Sequence, residues 1–336
     1  MKKIVWIILF VLPLAGHCQK APFKFGEIPL DEMTMTIYDK DSSAAAVILM
    51  DYGQAFITVN TTEAVMNFER HTRIKILNNE GLVWANASIL LFHSGSAEEK
   101  VNGLKASSFN LEGGKIVETK MSKDGVFKEK YDRDYIQQKF TLPNVKVGTV
   151  IEYTYKKTSQ FFTNFPNWQF QHNIPTRLSE YWAMFPKIFQ YQQYMQGYVP
   201  VASYEVSDKL MVGTEVNAHH WISKNIPAFK SEPFMTCEED YVSKINFALA
   251  VIDHTTHIEN VMGTWEKLNA DLLEHDDFGK VINGSKFLKD QVEQLVAGLT
   301  DHVQKISVIS DYIKQNVVWY GVEDFYSAPL DRKSVV

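Results

Sequence analysis

Few residues in this chain have the type and spacing that covalent or metal chemistry needs. Cys237 stands in Met235-Thr-Cys-Glu-Glu-Asp240. The thiolate is the nucleophilic form of cysteine, and three adjoining carboxylates work against it; no apolar run begins a helix there to offset them. Cys237 therefore reads as an inert cysteine. Asp253-His-Thr-Thr-His257-Ile-Glu259 supplies three metal-ligand types in His254, His257 and Glu259. On a strand the two histidines would point to opposite faces, and on a helix i, i+3 is only partly convergent, so the run reads as a polar loop joining strand to helix. His219 and His220 are adjacent and would face opposite ways on a strand. No catalytic, cofactor-binding or metal-binding residue is assigned, and no cofactor. There is no glycine-rich phosphate loop and no dinucleotide fingerprint.

Two weaker signals remain. Asn60-Thr-Thr62, Asn86-Ala-Ser88 and Asn283-Gly-Ser285 match the glycosylation sequon, which behind a bacterial-looking leader reads as chance. Between Tyr153 and Tyr198 lie 14 aromatics in 46 residues, against 13% in the whole chain. Exposed rings would make a sugar-stacking platform. Buried ones, including Phe165, Trp168, Phe170, Tyr181, Phe185 and Phe189, would fill the seam between two sheets, and that is the expectation.

Which elements would position these residues follows from composition and periodicity. At 336 residues the chain is long enough for about two domains of roughly 150 residues each. Residues 1–18 differ from the rest: Lys2 and Lys3 precede an apolar run, Ile4 to Leu14, too short to span a bilayer, then Ala15-Gly-His-Cys18. This reads as a secretory signal peptide cleaved after Cys18, rather than a lipoprotein signal acylated on it, because His17 precedes that cysteine. The remaining chain has 32 basic and 40 acidic residues, which excludes a nucleic-acid footprint. It also leaves Cys237 alone, so no internal disulfide is expected.

Thr149 to Lys156 alternates: Ile151, Tyr153 and Tyr155 on one face, Glu152, Thr154 and Lys156 on the other, as in a half-buried antiparallel strand. A Pro-containing lead-in, Ala21 to Tyr38, precedes short strands: Ala45 to Met50, a turn at Asp51-Tyr-Gly53, Gln54 to Val59, Asn67 to Leu77, Leu82 to Phe92, a hairpin at Glu112-Gly-Gly114, and Lys130 to Thr141. Further strands fall in Val199 to Pro233 and Val242 to Asp253. After Glu259 the period becomes helical. Thr264 caps a helix bearing Trp265, Leu268, Leu272 and Leu273; Phe287 to Leu299 suggests a second; Asp301 with Gln304 opens a third carrying Ile306, Ile309, Ile313 and Val317, which Gly321 stops. Glu274 to Asp277 is a solvated helix end.

Phe140 to Lys157, FTLPNVKVGTVIEYTYKK, resembles the family catalogued as domain of unknown function 3857, found in exported bacterial proteins ahead of a transglutaminase-like domain. Arg73-Ile-Lys-Ile-Leu-Asn-Asn-Glu-Gly81, Gln171-His-Asn-Ile-Pro175, Trp221 to Ala228 and Glu232-Pro-Phe234 are similar to further runs of that family. The helix from Asp301 to Tyr320 looks like the entry helix of the transglutaminase-like domain. The Cys-His-Asp set that the resemblance implies would follow Val336, so none of it maps onto a residue here.

The expected organisation is a signal peptide over 1–18, a large antiparallel β-sandwich over 22–258, and the helical start of an incomplete transglutaminase-like α+β domain over 259–336. The fold class is mainly β. The expected role is that of an exported, non-catalytic binding or scaffold protein at the periplasm or surface of a bacterium, with an envelope protein, peptide or glycan as partner and no nucleic acid. The alternatives are a fragment of a Cys-His-Asp thiol enzyme, for which an exposed apolar stripe on the last helix would speak, and a carbohydrate-binding sandwich.

Overall fold

The computed structural model describes residues 21–59, 63–211, 213–254, 256–281 and 288–318. The leader with Cys18, the sequons at Asn60 and Asn283, Phe287, Gly321 and the C-terminal residues lie outside them. In chain order the elements are α1 (Leu30–Thr34), β1 (Ala46–Val59), β2 (Ala64–Ile76), β3 (Asn86–Ser94), β4 (Ala97–Glu98), β5 (Lys100–Glu112), β6 (Lys115–Lys120), β7 (Val126–Lys130) and β8 (Tyr135–Thr141). They continue with β9 (Val150–Ser159), β10 (Trp168–Gln169), β11 (Thr176–Pro186), β12 (Phe189–Gln196), β13 (Ser203–Met211), β14 (Thr214–Ile226), β15 (Lys244–Asp253) and β16 (Ile258–Asn260). Three helices follow: α2 (Trp265–Glu274), α3 (Lys289–Leu295) and α4 (His302–Asn316). The protein is mainly β with several sheets and a few C-terminal helices, in two compact units divided between Val261 and Met262.

The first unit is built on an eight-stranded sheet in the order β13-β14-β11-β1-β2-β9-β5-β6. Every neighbouring pair is antiparallel except β1 and β11, which run parallel. A parallel pair needs a long crossover, and here everything from β2 to β10 lies between the two strands. Two smaller sheets, β10-β15-β12 with β16 on β15, and β4-β3-β8-β7, complete the unit. Ile48, Phe68, Ile74, Ile151, Phe165 and Trp221 belong to one large apolar core.

The opposite face of the large sheet is covered by residues 21–44. Ile28, Met33 and Tyr38 from this strap pack with Val47, Leu49, Phe109 and Val150. Here the structure corrects the half-buried strand: Glu152, on the face expected to meet water, is fully buried. It accepts hydrogen bonds from the Gly26 backbone N–H (2.9 Å), His71 Nε2 (2.6 Å) and Arg73 Nη2 (3.1 Å). Arg73 also reaches Glu32 of α1 (3.0 Å) and the Glu27 carbonyl (3.0 Å), while the buried Lys75 ammonium donates to the carbonyls of Met33 (2.6 Å) and Gly148 (2.5 Å). Burial lowers the Lys75 pKa to about 8. The lead-in thus supplies partners for charges that the sheet could not otherwise bury.

Three strand boundaries also differ from expectation. Asp51-Tyr-Gly53 is not a turn; β1 runs through it, with a bulge between Ile48 and Met50. Asp51 has partners on two neighbouring strands, which offset its poor strand propensity. The expected strand from Leu82 begins only at Asn86, because the turn at Asn78 continues as a 3₁₀ helix to Ala85, started by the Asn78 side chain accepting from the N–H groups of Glu80 and Gly81. Lys130 to Thr141 is the turn and second arm of a hairpin, with Tyr131 N–H and Asp132 N–H both donating to the Tyr135 carbonyl.

Gly53 has a steric reason. A Cβ there would lie 2.2 Å from Trp168 Cζ3, and Trp168 is 1% exposed. The indole cannot retreat without unstacking from Tyr181, at 4.9 Å between ring centroids. Gly53→Ala should therefore destabilise the unit by about 1–3 kcal/mol through overpacking, read as a lowered urea midpoint in Trp fluorescence. An unchanged midpoint would mean that the Trp168 layer is loosely packed.

The second unit matches the helical expectations closely. Thr264 Oγ1 accepts from Lys267 N–H at the start of α2, and the Asp301 carboxylate accepts from Gln304 N–H at the start of α4. Ile306, Ile313 and Val317 of the α4 stripe are exposed. No helix among the described residues is long and apolar enough to cross a membrane.

Candidate functional site

A row of polar side chains crosses the inner face of the large sheet. In register it runs Ser223 on β14, Ser179 on β11, Asp51 on β1, Thr72 on β2 and Tyr153 on β9. Directly paired residues share a face, so all five look toward the apolar core. The first four are at most 1% exposed. Arg70, two residues before Thr72 and on the same face, clamps Asp51 with both arms: Nε to Oδ1 at 3.0 Å and Nη2 to Oδ2 at 2.6 Å. Thr72 Oγ1 donates to Asp51 Oδ1 at 2.8 Å, and His172 Nε2 lies 3.4 Å from Oδ2.

The indole of Trp168 ties this row to the apolar core. Its Nε1–H donates to Ser179 Oγ at 2.9 Å, and the Arg70 guanidinium lies 4.9 Å from its ring centroid. Burial pushes the Asp51 carboxyl up, but the Arg70 charge and its two hydrogen bonds, with the His172 imidazole close by, outweigh it and hold the carboxyl below the ordinary range. Burial likewise raises the Tyr155 hydroxyl to about 12, against the pull of Arg70. The result is an ion pair that stays ionised at any physiological pH and leaves little net charge.

Above the β2–β9 end of the row opens a cleft of about 340 Å³. Arg70, Thr72 and Tyr153 line its floor; Trp84, Asn86 and Ser88 form one wall and Gln169 and His172 another. This size lies at the lower end of the range for small-ligand sites, roughly 300–1,000 Å³. The cleft can offer hydrogen-bond donors and acceptors to a ligand from amide, hydroxyl and imidazole groups beside an indole.

The residues singled out from sequence lie elsewhere. Cys237 is exposed and precedes a 3₁₀ turn, Glu238–Asp240, without capping it. His254 and His257 are in the β15–β16 hairpin, which corrects the strand-to-helix loop; their rings stack at 4.5 Å rather than diverging, and His254 Nε2 meets Glu259 at 2.8 Å. Among the described residues no group of three or more His, Cys, Asp or Glu is arranged to hold a metal. His219 and His220 do face opposite ways. His219 stacks on Trp221 and Phe185, where burial lowers its pKa, and His220 stacks on Trp182 and bonds Glu180 at 2.9 Å. Phe165, Trp168, Phe170, Tyr181, Phe185 and Phe189 are all buried, so these rings serve the core.

The row itself could not be found from sequence. Its members are 21 or more residues apart wherever they are not on one strand, and only strand pairing brings them together.

Nearly all of the cleft lining and of the row lies in one recognisable stretch of chain, with Ile48 and Asp51 before it. Residues 65–230 match the family model DUF3857, "Domain of Unknown Function with solved-structure structure". Thr72, Tyr153, Ser179 and Ser223 of the row fall within this DUF3857 match, as do Arg70 and His172, whereas Asp51 precedes it. No curated protein matches. Among solved structures the fold resembles that of a protein from Parabacteroides distasonis described as a "putative protease", with a TM-score of 0.54 and 13% identity. The likeness covers 81% of this chain and 50% of that one, so the chain spans about half the length of the structure it matches. At that identity the likeness shows the fold alone.

Proposed function

We propose that the first unit is a non-catalytic binding or scaffold module of an exported bacterial protein, and that the cleft above Arg70 is its ligand site. The observation that carries this is the pairing at the cleft floor. Arg70 would attract an anion if it were free, but Asp51 holds it through two bonds and neutralises it. What remains is neutral hydrogen-bonding capacity beside aromatic surface, which suits an uncharged peptide segment. Trp84 in the wall provides the signal. Titrating neutral blocked tripeptides should give a saturable change in Trp fluorescence that an Asn86→Ala/Gln169→Ala variant loses. Neutral chito-oligosaccharides are the comparison: a response to them alone would move the ligand to the carbohydrate class, and no response to either sinks the proposal.

A second reading has its own support. The exposed Ile306 and Ile313 on α4 and Val317 just after it, and a structural match of which the likeness covers only 50%, suit the front part of a longer thiol enzyme of the transglutaminase or peptidase type. In that case the cleft would present a peptide to a catalytic Cys-His-Asp set outside this sequence. Translating the coding DNA beyond the codon for Val336 tests it: a Gly-x-Cys segment followed by His and Asp supports the enzyme, and the lack of one removes this reading.

A further inference from the structure

Strand β13 ends the eight-stranded sheet, and among the described residues it pairs only with β14. Its free edge is long and exposes large apolar side chains. On the inner face Tyr204, Val206 and Leu210 are 51%, 56% and 66% exposed. The opposite edge, β6, has six residues with Lys115 and Lys120 at its ends, a common device against edge-to-edge pairing. β13 has nine residues, Ser-Tyr-Glu-Val-Ser-Asp-Lys-Leu-Met, without proline.

We propose that the chain forms a two-fold dimer in which β13 pairs antiparallel with β13 of a second copy, centred on Ser207. The register follows from faces and charges. A two-fold axis perpendicular to the sheet keeps the inner face continuous only if residues of the same parity oppose one another. Centring on Glu205 or Asp208 sets like charges opposite each other. Centring on Val206 sets Tyr204 against Asp208 and Glu205 against Ser207. Centring on Ser207 sets Glu205 against Lys209, Tyr204 against Leu210 and Val206 against Asp208, and symmetry makes each pair twice; it alone of these registers gives opposite charges facing one another.

Both charged members lack an ion-pair partner in their own chain among the described residues. Lys209 has its ammonium 3.9 Å from the Trp182 ring centroid, on the outer face where Glu205 also projects. Burial lowers the pKa of that ammonium, and a carboxylate across the interface would supply its missing counter-charge. The two eight-stranded sheets would join into one, satisfying the free edge of each.

Sedimentation of the full chain tests this. At about 0.1 mM and low salt the wild type should run at twice the chain mass, since a dimer is favoured by concentration. Glu205→Lys and Lys209→Glu should each weaken the dimer at least about tenfold, because each creates two like-charge pairs. The double variant Glu205→Lys/Lys209→Glu restores opposite charges and should recover the dimer, which a folding defect would not. Ser207→Cys in a Cys237→Ser background should form a covalent dimer on oxidation. A monomeric wild type, or a dimer indifferent to both single reversals, overturns the proposal.

Discussion

Replacing Asp51 with alanine should cost the first unit about 2–4 kcal/mol, because it leaves the Arg70 guanidinium, a quarter exposed at the cleft floor, with no carboxylate to meet it. The same change strips Thr72 Oγ1 of its acceptor and His172 of its neighbour. Urea unfolding followed by Trp fluorescence reads the loss. Asp51→Ala/Arg70→Met should recover most of it, since removing both charges also removes the unpaired one. The pH dependence has a definite sign. The folded-state carboxyl lies below its ordinary value of 3.8, so its stabilisation is complete above that value and is lost as pH falls through the acid range below it. Asp51→Ala should lack this share of the acid lability. The variant also bears on function, for an unpaired Arg70 would give the cleft a positive charge and turn it toward anionic ligands. A midpoint equal to wild type would show that the row is solvated and not a structural pair.

Much of the architecture was legible because strand and helix periods are local properties. The alternation Ile245, Phe247, Leu249, Val251 and the caps at Thr264 and Asp301 depend only on near neighbours, and all appear where the pattern put them. Asp51 was not legible. Beside Gly53 its composition is that of a turn, and only pairing with Thr72 and Ser179 keeps it in a strand. Glu152 failed for a related reason: a polar residue in an alternating strand implies water, unless a distant segment covers that face. Here the cover is the strap, whose prolines and single short helix carry no periodic signal. The cleft is legible still less, since its lining comes from five separate stretches of chain that meet only in the folded unit.

Glu152 is the second place where one substitution should have a large effect, and there the effect should be directional. Its carboxylate joins strap to sheet: Oε2 accepts from Gly26 N–H, while Oε1 receives both His71 and Arg73. In Glu152→Ala the Arg73 guanidinium keeps Glu32 and two strap carbonyls, Lys24 and Glu27, but loses its partner within the sheet. Arg73, 3% exposed, keeps the Glu32 charge, so the expected cost is that of the buried hydrogen bonds lost at Arg73, His71 and Gly26, about 2–4 kcal/mol. Glu152→Gln preserves the shape and an acceptor, so it should cost less. The distribution of the loss distinguishes a pin from a generic core defect. Amide hydrogen exchange should rise in residues 21–41 by more than in β1 or β9, because the strap's few regular hydrogen bonds open before the ladder does. If exchange instead rose evenly across the unit, the apolar contacts of Ile28, Met33 and Tyr38 would hold the strap by themselves, and the buried ionic cluster would be a consequence of its docking rather than the cause.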